Sequence, residues 1–218
     1  MDLKSAVFDR LFLPESFINA NKDQMYDFMV ANAFGRNSFT DKEASTIIRQ
    51  KRDELDDDIA MFEWLQTENF DPGSPNILLA TELSKHPSAF DIPVIGQWEI
   101  MYELWKRYPG RYNRCIDTLF AIWPPKKGYL RTRGFMLEAK RIAELRRLRI
   151  PCVTAHPEHI QRCFFMARNV FGSAISKSLS ITPDWFDKRS VQKWTRGKWS
   201  WLTYELMVRI HHRILGWM

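Results

Sequence analysis

The chain is short of the residues that mark several protein classes. Its 218 residues include only three cysteines, Cys115, Cys152 and Cys163, in neither a CxxC pair nor an even-numbered set. That excludes a disulfide scaffold and indicates reduced thiols inside a cell. Eleven prolines and nine glycines are too few for a collagen-like or low-complexity chain. No stretch reaches the roughly 18 uninterrupted apolar residues of a membrane span. The opening MDLKSAVFDRLFLPESF carries acids within its apolar run and has no small-residue cleavage pattern. A cytoplasmic protein without a transmembrane segment is the expectation. The Walker pattern GxxxxGK(S/T), the HExxH motif and zinc-finger spacings are missing as well, as is an aromatic RNA-recognition submotif.

What is there is an ordinary globular composition, 45% hydrophobic and 27% charged, in a chain long enough for one large domain or two small ones. The net charge of +6 is unevenly placed: residues 1 to 109 hold 11 Lys/Arg against 19 Asp/Glu, and residues 110 to 218 hold 21 against 7. The basic half suits an anionic partner such as a nucleotide, a phosphorylated carrier, nucleic acid or an acidic membrane surface. Nine tryptophans, among them Trp194, Trp199, Trp201 and Trp217, are read as packing the C-terminal segment, with a ligand-stacking or membrane-facing surface as the alternative.

Along the chain, residues 21–33 read as a helix closing near Gly35. Thr40 followed by Glu43 is a capping box, and Ala44, Ile47, Ile48, Leu55, Ile59, Phe62 and Leu65 continue at helical spacing to Gln66. The dense turn Phe70-Asp71-Pro72-Gly73-Ser74-Pro75 is the best linker candidate, so residues 1–70 are expected to be a helical segment packed on a core spanning 75–218. Within that core, residues 76–80 and 92–95 read as strands, and 97–108 as a helix stopped by Pro109-Gly110. An apolar run at 115–123, a basic loop, a helix over 132–148, an apolar run at 150–155 and a helix over 158–171 follow. A last strand and turn near 180–184 precede a helix over 200–215, with Leu202, Leu206, Ile210, Ile214 and Leu215 as its apolar stripe and Arg209, His212 and Arg213 opposite. Strand, loop, helix in repetition predicts an α/β fold, a three-layer Rossmann-like domain with a mostly parallel sheet. The last helix is expected to dock on this body; Trp201, Tyr204, Met207 and Trp217 beside cations also suit an anionic membrane.

Ligands of such sheets sit outside the carboxyl ends of the strands. Three pieces fall there: loop 124–133, loop 154–159 and the turn around Thr81 and Glu82. The run Lys126-Lys127-Gly128-Tyr129-Leu130-Arg131-Thr132-Arg133-Gly134 sets cations and a Thr at a helix start whose free amides favour an anion. A solvated basic loop with Thr132 as N-cap is the alternative. In Val153-Thr154-Ala155-His156-Pro157-Glu158-His159-Ile160-Gln161-Arg162-Cys163, a strand ends, Pro157 opens a helix, and His159 and Arg162 share one helix face. Such a His can hydrogen-bond a phosphate or transfer a proton, and such an Arg can grip a phosphate bidentately. Neither His156-Pro157-Glu158-His159 nor Asp56-Asp57-Asp58 has the partners of a metal site, and none is expected.

Thr132-Arg133-Gly134-Phe135-Met136-Leu137-Glu138-Ala139, the strand Ile150-Pro151-Cys152-Val153-Thr154, His159-Ile160-Gln161-Arg162-Cys163, and Trp194 followed by Glu205 together resemble the YdcF/SanA/ElyC-like family of Rossmann-related domains over about residues 92–210. The resemblance implies that Thr132, Glu138, Thr154, His159, Arg162 and Glu205 line a polar cleft, and that the ligand is nucleotide-like or S-adenosylmethionine-like. Ala80-Thr81-Glu82 and Trp123-Pro124-Pro125 stand where members of that family carry Gly-rich turns.

The expected function is binding of a phosphate-containing small molecule in a basic cleft, with transfer or hydrolysis at phosphate as its chemistry. His159 would be proton donor or phosphate ligand, Arg162, Arg133 and Lys127 the cationic clamps, Thr132 a helix-start anchor, and Glu138 or Glu205 an orienting or basic carboxylate. The alternatives are a nucleic-acid or anionic-surface binding module and a scaffold whose pocket has decayed.

Overall fold

The run Phe28-Met29-Val30-Ala31 has no alternation of polar and apolar residues and by itself reads equally as helix or strand. In the computed structural model, which describes residues 26–40, 43–55, 57–85, 92–112, 118–125, 130–172, 175–176 and 186–216, it is a strand, β1 (Phe28–Ala31). A π-helical turn (Ala44–Ile48) leads into α1 (Arg49–Leu55), α2 (Asp58–Thr67) and α3 (Ser74–Lys85). Then come β2 (Val94–Gln97), α4 (Trp98–Arg107), the single turn α5 (Pro109–Tyr112), β3 (Leu119–Ile122) and α6 (Thr132–Leu145). The chain continues through β4 (Pro151–Thr154), α7 (Pro157–Phe171), β5 (Ile175–Ser176), a 3-10 turn (Lys193–Thr195) and α8 (Lys198–Ile214).

The sheet order is β3-β2-β1-β4-β5, and every pairing is parallel. β1 is central: Val30 pairs with Ile95 on one side and Val153 on the other. Its side chains alternate between two cores, as the period of two requires. Met29 and Ala31 pack with Ile48, Phe62, Leu79, Trp98 and Met101 from α2, α3, α4 and the π turn. Phe28 and Val30 pack with Phe135, Met136, Cys163 and Ala167 of α6 and α7. All four β1 side chains are 0% exposed, which explains why a strand covered on both faces carries no polar residue. The fold is a three-layer, Rossmann-like α/β arrangement. Among the described residues, no helix is long and apolar enough to cross a membrane.

Four local expectations are corrected. The described part of 21–33 is not a helix: the central strand lies there, because sandwiching between two helical layers outweighs the helix propensity of Met and Ala. Residues 76–80 are not a strand but part of α3, whose buried Pro75, Asn76, Leu79, Ala80 and Leu83 keep a helical period that five residues are too few to reveal. The capping box at Thr40 and Glu43 forms, with reciprocal bonds of 2.6 and 3.3 Å, but the long helix after it breaks at Asp57, whose carboxylate caps α2 through Ala60 N–H. The turn at 70–75 is packed, not a linker: Pro72 and Gly73 are buried, and Asp71 O accepts from Asn37 and Ser38 N–H at 3.1 Å. Residues 1–70 therefore supply the central strand as well as helices, and the division at 70–75 falls inside the fold. The strand expected near 180–184 lies outside the described residues.

Asn76 ties these parts together. Fully buried, it accepts from Phe34 N–H (2.8 Å) and donates to Gly35 O and to Pro72 O (2.7 Å). Its loss would leave three buried backbone groups without partners, so Asn76→Ala is expected to lower the unfolding free energy by about 3 kcal/mol in urea denaturation.

Candidate functional site

The chain runs outward from β1 to β2 and β3, then returns to β4 on the other side, so the loops leaving β1 and β4 part at the switch point of the sheet. The loop after β1 is positioned almost atom by atom. Ala33 N–H donates to Gln97 Oε1 (2.8 Å), and Arg36 O accepts from Val191 N–H (2.8 Å) and Ser190 Oγ (3.1 Å). Gly35 has φ +70°, and a Cβ there would lie 2.6 Å from Thr195 Oγ1. The Arg36 guanidinium, itself buried, meets buried Glu99 at 3.0 Å. Asn37 Nδ2 and the Ser74 hydroxyl both donate to Asp187 Oδ2 at 2.9 Å. Burial opposes the Asp187 charge, but hydrogen bonds from Arg189, Asn37 and the Arg189 and Ser74 amides outweigh it and hold the carboxyl below its usual range.

Held this way, Phe34 lies flat on His156, with ring centroids 3.9 Å apart and 13° between planes, and meets Trp201 edge-on at 4.6 Å. His156 caps α7 by accepting Glu158 N–H on Nδ1 (3.2 Å), with Pro157 in the first helical turn. One turn on, His159 stands 5.2 Å from Trp201 in a T-shaped contact. Its Nδ1 is buried without a hydrogen-bond partner among the described residues, as are Arg162 Nε and both amide atoms of Asn32 at the end of β1.

Over this edge lies a cleft of about 1310 Å³. Its walls are the loop after β1, the exit of β3 through Trp123 and Pro125, the first turns of α6, His159 and Arg162 of α7, the 3-10 turn, and one side of α8. Among the described residues, five arginines line it (Arg52, Arg131, Arg133, Arg141 and Arg162) against one carboxylate, Glu138, with Arg52 also paired to Asp58 at 2.7 Å. Thr132, Arg133 and Gly134 form the first turn of α6, whose N–H groups have no acceptor within the helix, and the N-cap Arg131 supplies no side-chain cap. Phe34, Trp194, Trp201 and Tyr204 give the cleft an aromatic wall.

The helix α8 docks by its charged face. Arg162 Nη1 sits 3.0 Å from Glu205 Oε2, Arg209 Nε donates to Glu205 Oε1 at 2.9 Å, and both Arg209 Nη atoms donate to Gln161 Oε1 at 3.2 Å. Arg162, Glu205 and Arg209 are 4%, 1% and 1% exposed. The Arg162 guanidinium also lies over the Trp201 and Tyr204 rings, at 5.1 and 5.5 Å. The expected orientation of α8 is thereby reversed: Arg209 points in, while Leu206, Ile210, Ile214 and Leu215 point out.

Of the sequence-predicted site residues, Thr132, Arg133, Glu138, His159 and Arg162 all line the cleft. Glu138 is bonded to Arg141 at 2.6 Å, and Glu205 sits behind the wall, between two arginines. Thr154 is fully buried below the edge, its hydroxyl donating to Val30 O at 3.2 Å, and so joins β4 to β1. Thr81 and Glu82 lie within α3, with Thr81 bonded to Ile77 O, and not at a strand end. Lys127 lies outside the described residues. Burial pushes the Cys163 thiol up, so it stays protonated in the core. Missed were Phe34 and the loop around it, whose signal was an apolar run broken by Asn-Ala-Phe-Gly, and the inward Arg209. The chain matches no family model, no curated protein and no solved structure.

Burial, then the charges of Arg162, His156 and Arg209, hold the His159 imidazole well below its usual pKa, and burial with Arg162, His211 and Arg131 pushes His212 down to about 4. Both are neutral when folded near pH 7. Below pH about 6.5 the unfolded chain takes up protons that the folded chain refuses, so stability falls with pH, by at most about 1.4 kcal/mol per pH unit for each histidine. Urea denaturation between about pH 7 and pH 5 is expected to show this loss, with a shallower slope in His159→Gln.

Proposed function

We propose that the cleft binds a small anionic molecule carrying a phosphate group, of nucleotide-like or cofactor-like class. The observation that carries this reading is the charge of the described lining: Arg131, Arg133 and Arg162 face the cleft beside the first-turn amides of α6, against one carboxylate, Glu138, which is itself held by Arg141. Positive charge gathered along a concave, partly desolvated wall favours an anion. A phosphate in the cleft would accept from the α6 first-turn amides and Arg131, with Arg162 and Arg133 supplying further positive charge. Neutral His159 would donate a ring N–H to it. The aromatic wall suits a planar group attached to the phosphate. A ligand of S-adenosylmethionine type, which brings a sulfonium cation, is the poorer fit among five arginines.

For transfer or hydrolysis at phosphate the described lining offers histidines as proton-transfer groups, His159 beside Arg162 and His211 and His212 on α8, since Glu138 is held by Arg141 and Glu205 is shared by two arginines. A bound phosphate's negative charge raises the proton affinity of a facing imidazole, so binding and proton uptake at His159 are coupled.

Calorimetric titration of the full chain with inorganic phosphate, pyrophosphate, AMP, ATP and S-adenosylmethionine tests the reading. Phosphate-bearing ligands are expected to bind, and exposed Arg131→Ala to weaken them about tenfold without altering the fold. Binding of a phosphate ligand that ignores both Arg131→Ala and His159→Ala, or steeply salt-dependent binding to any DNA or RNA in place of a small anion, would overturn it.

A further inference from the structure

Exposed apolar surface is concentrated on one element. Of nine large apolar side chains standing exposed among the described residues, six lie between 199 and 215, with Trp199 at 82%, Met207 at 65% and Ile214 at 77%. Trp199, Leu206, Ile210 and Ile214, with Met207 beside them, recur at helical spacing and form one stripe along α8, a helix about 25 Å long. The stripe lies away from Glu205 and Arg209, because those two are held inward on α7. A helix that buries its ion pair and exposes its apolar side leaves a contiguous patch without a partner among the described residues.

Charge says what covers it. Residues 193–216 hold five Lys/Arg and a single acid, Glu205, which is 1% exposed. The outer surface of this segment therefore carries no carboxylate of its own, while Lys193, Arg196, Lys198 and Arg213 are exposed, Lys198 standing 3.4 Å from Glu158 of α7. A second copy of the chain, packed stripe to stripe, would set these cations against one another. An anionic bilayer answers both features, taking apolar side chains between its headgroups and cations at its surface, with tryptophan favoured at that depth.

We propose that the outer stripe of α8 docks in the plane of an anionic membrane surface. Met207 belongs both to the stripe and to the cleft wall, so docking sets the cleft mouth at headgroup level. The proposal does not depend on which ligand the cleft takes.

The test uses the full chain with vesicles of phosphatidylcholine alone and of phosphatidylcholine with about one third phosphatidylglycerol. Sedimentation is expected to show binding to the anionic vesicles only, falling steeply with added salt. The double substitution Ile210→Ser with Ile214→Ser, and separately Lys193→Glu, are each expected to cut partitioning about tenfold. All three positions are exposed and none lines the cleft, so thermal unfolding and cleft titration without vesicles stay unchanged. No binding to anionic vesicles by the folded protein, or binding that both variants leave intact, overturns the proposal. So does a dimer in light scattering that the isoleucine substitutions dissociate, which would assign the stripe to a second copy.

Discussion

The buried contact among Arg162, Glu205 and Arg209 governs more of this protein than any other interaction. Two guanidiniums and a carboxylate are costly to remove from water, and together they add little net stability compared with an apolar packing of equal volume. Removing one partner would be far worse, since an uncompensated charge would remain buried. The cluster therefore acts chiefly on orientation. It holds α8 by its polar face on α7, brings Trp201 and Tyr204 against the Arg162 guanidinium, and roofs the cleft. It also sets two guanidiniums near His159, which is one reason that imidazole resists protonation. The same rotation that turns Glu205 inward turns Ile210 and Ile214 out. The proposed anion site and the apolar stripe are two consequences of one contact.

Below this contact the cleft floor is rigid for a different reason. The loop after β1 is anchored by Phe34 and by Phe39, which stacks on Trp64 and Phe70, and its backbone polar groups are met by side chains from distant elements: Gln97 from β2, Asn76 from α3, and Ser190 from the segment before the 3-10 turn. Each partner is buried, so each lost bond would expose a group that cannot reach water. Such a loop can face a charged ligand without rearranging, which is how a site keeps the cost of binding low.

Much of this architecture was legible from the residues. α6 and α7 have helical periods long enough to exclude the other reading, β2, β3 and β4 follow from the strand, loop, helix order around them, and the strand-end rule brought Thr132, Arg133, His159 and Arg162 to one cleft. β1 and α3 were misread for one shared reason. FMVA and NILLA are apolar runs of four and five residues, too short for period two to be told from period 3.6, and only the layers around them decide. Thr154 looked like a site residue because it ends a strand, yet its hydroxyl faces Val30 O and closes the sheet.

The sequence by itself determined the alternation of strands and helices, the basic character of the second half and the capping of α7, because these depend on neighbours within a turn or two. It also determined that α8 has an apolar stripe and a charged one. Which of the two faces inward was decided only by tertiary structure. A helical period fixes which residues share a face, but whether that face is buried depends on what a distant element offers it. Here α7 offers Arg162 and Gln161, and the charged face was the one that fitted.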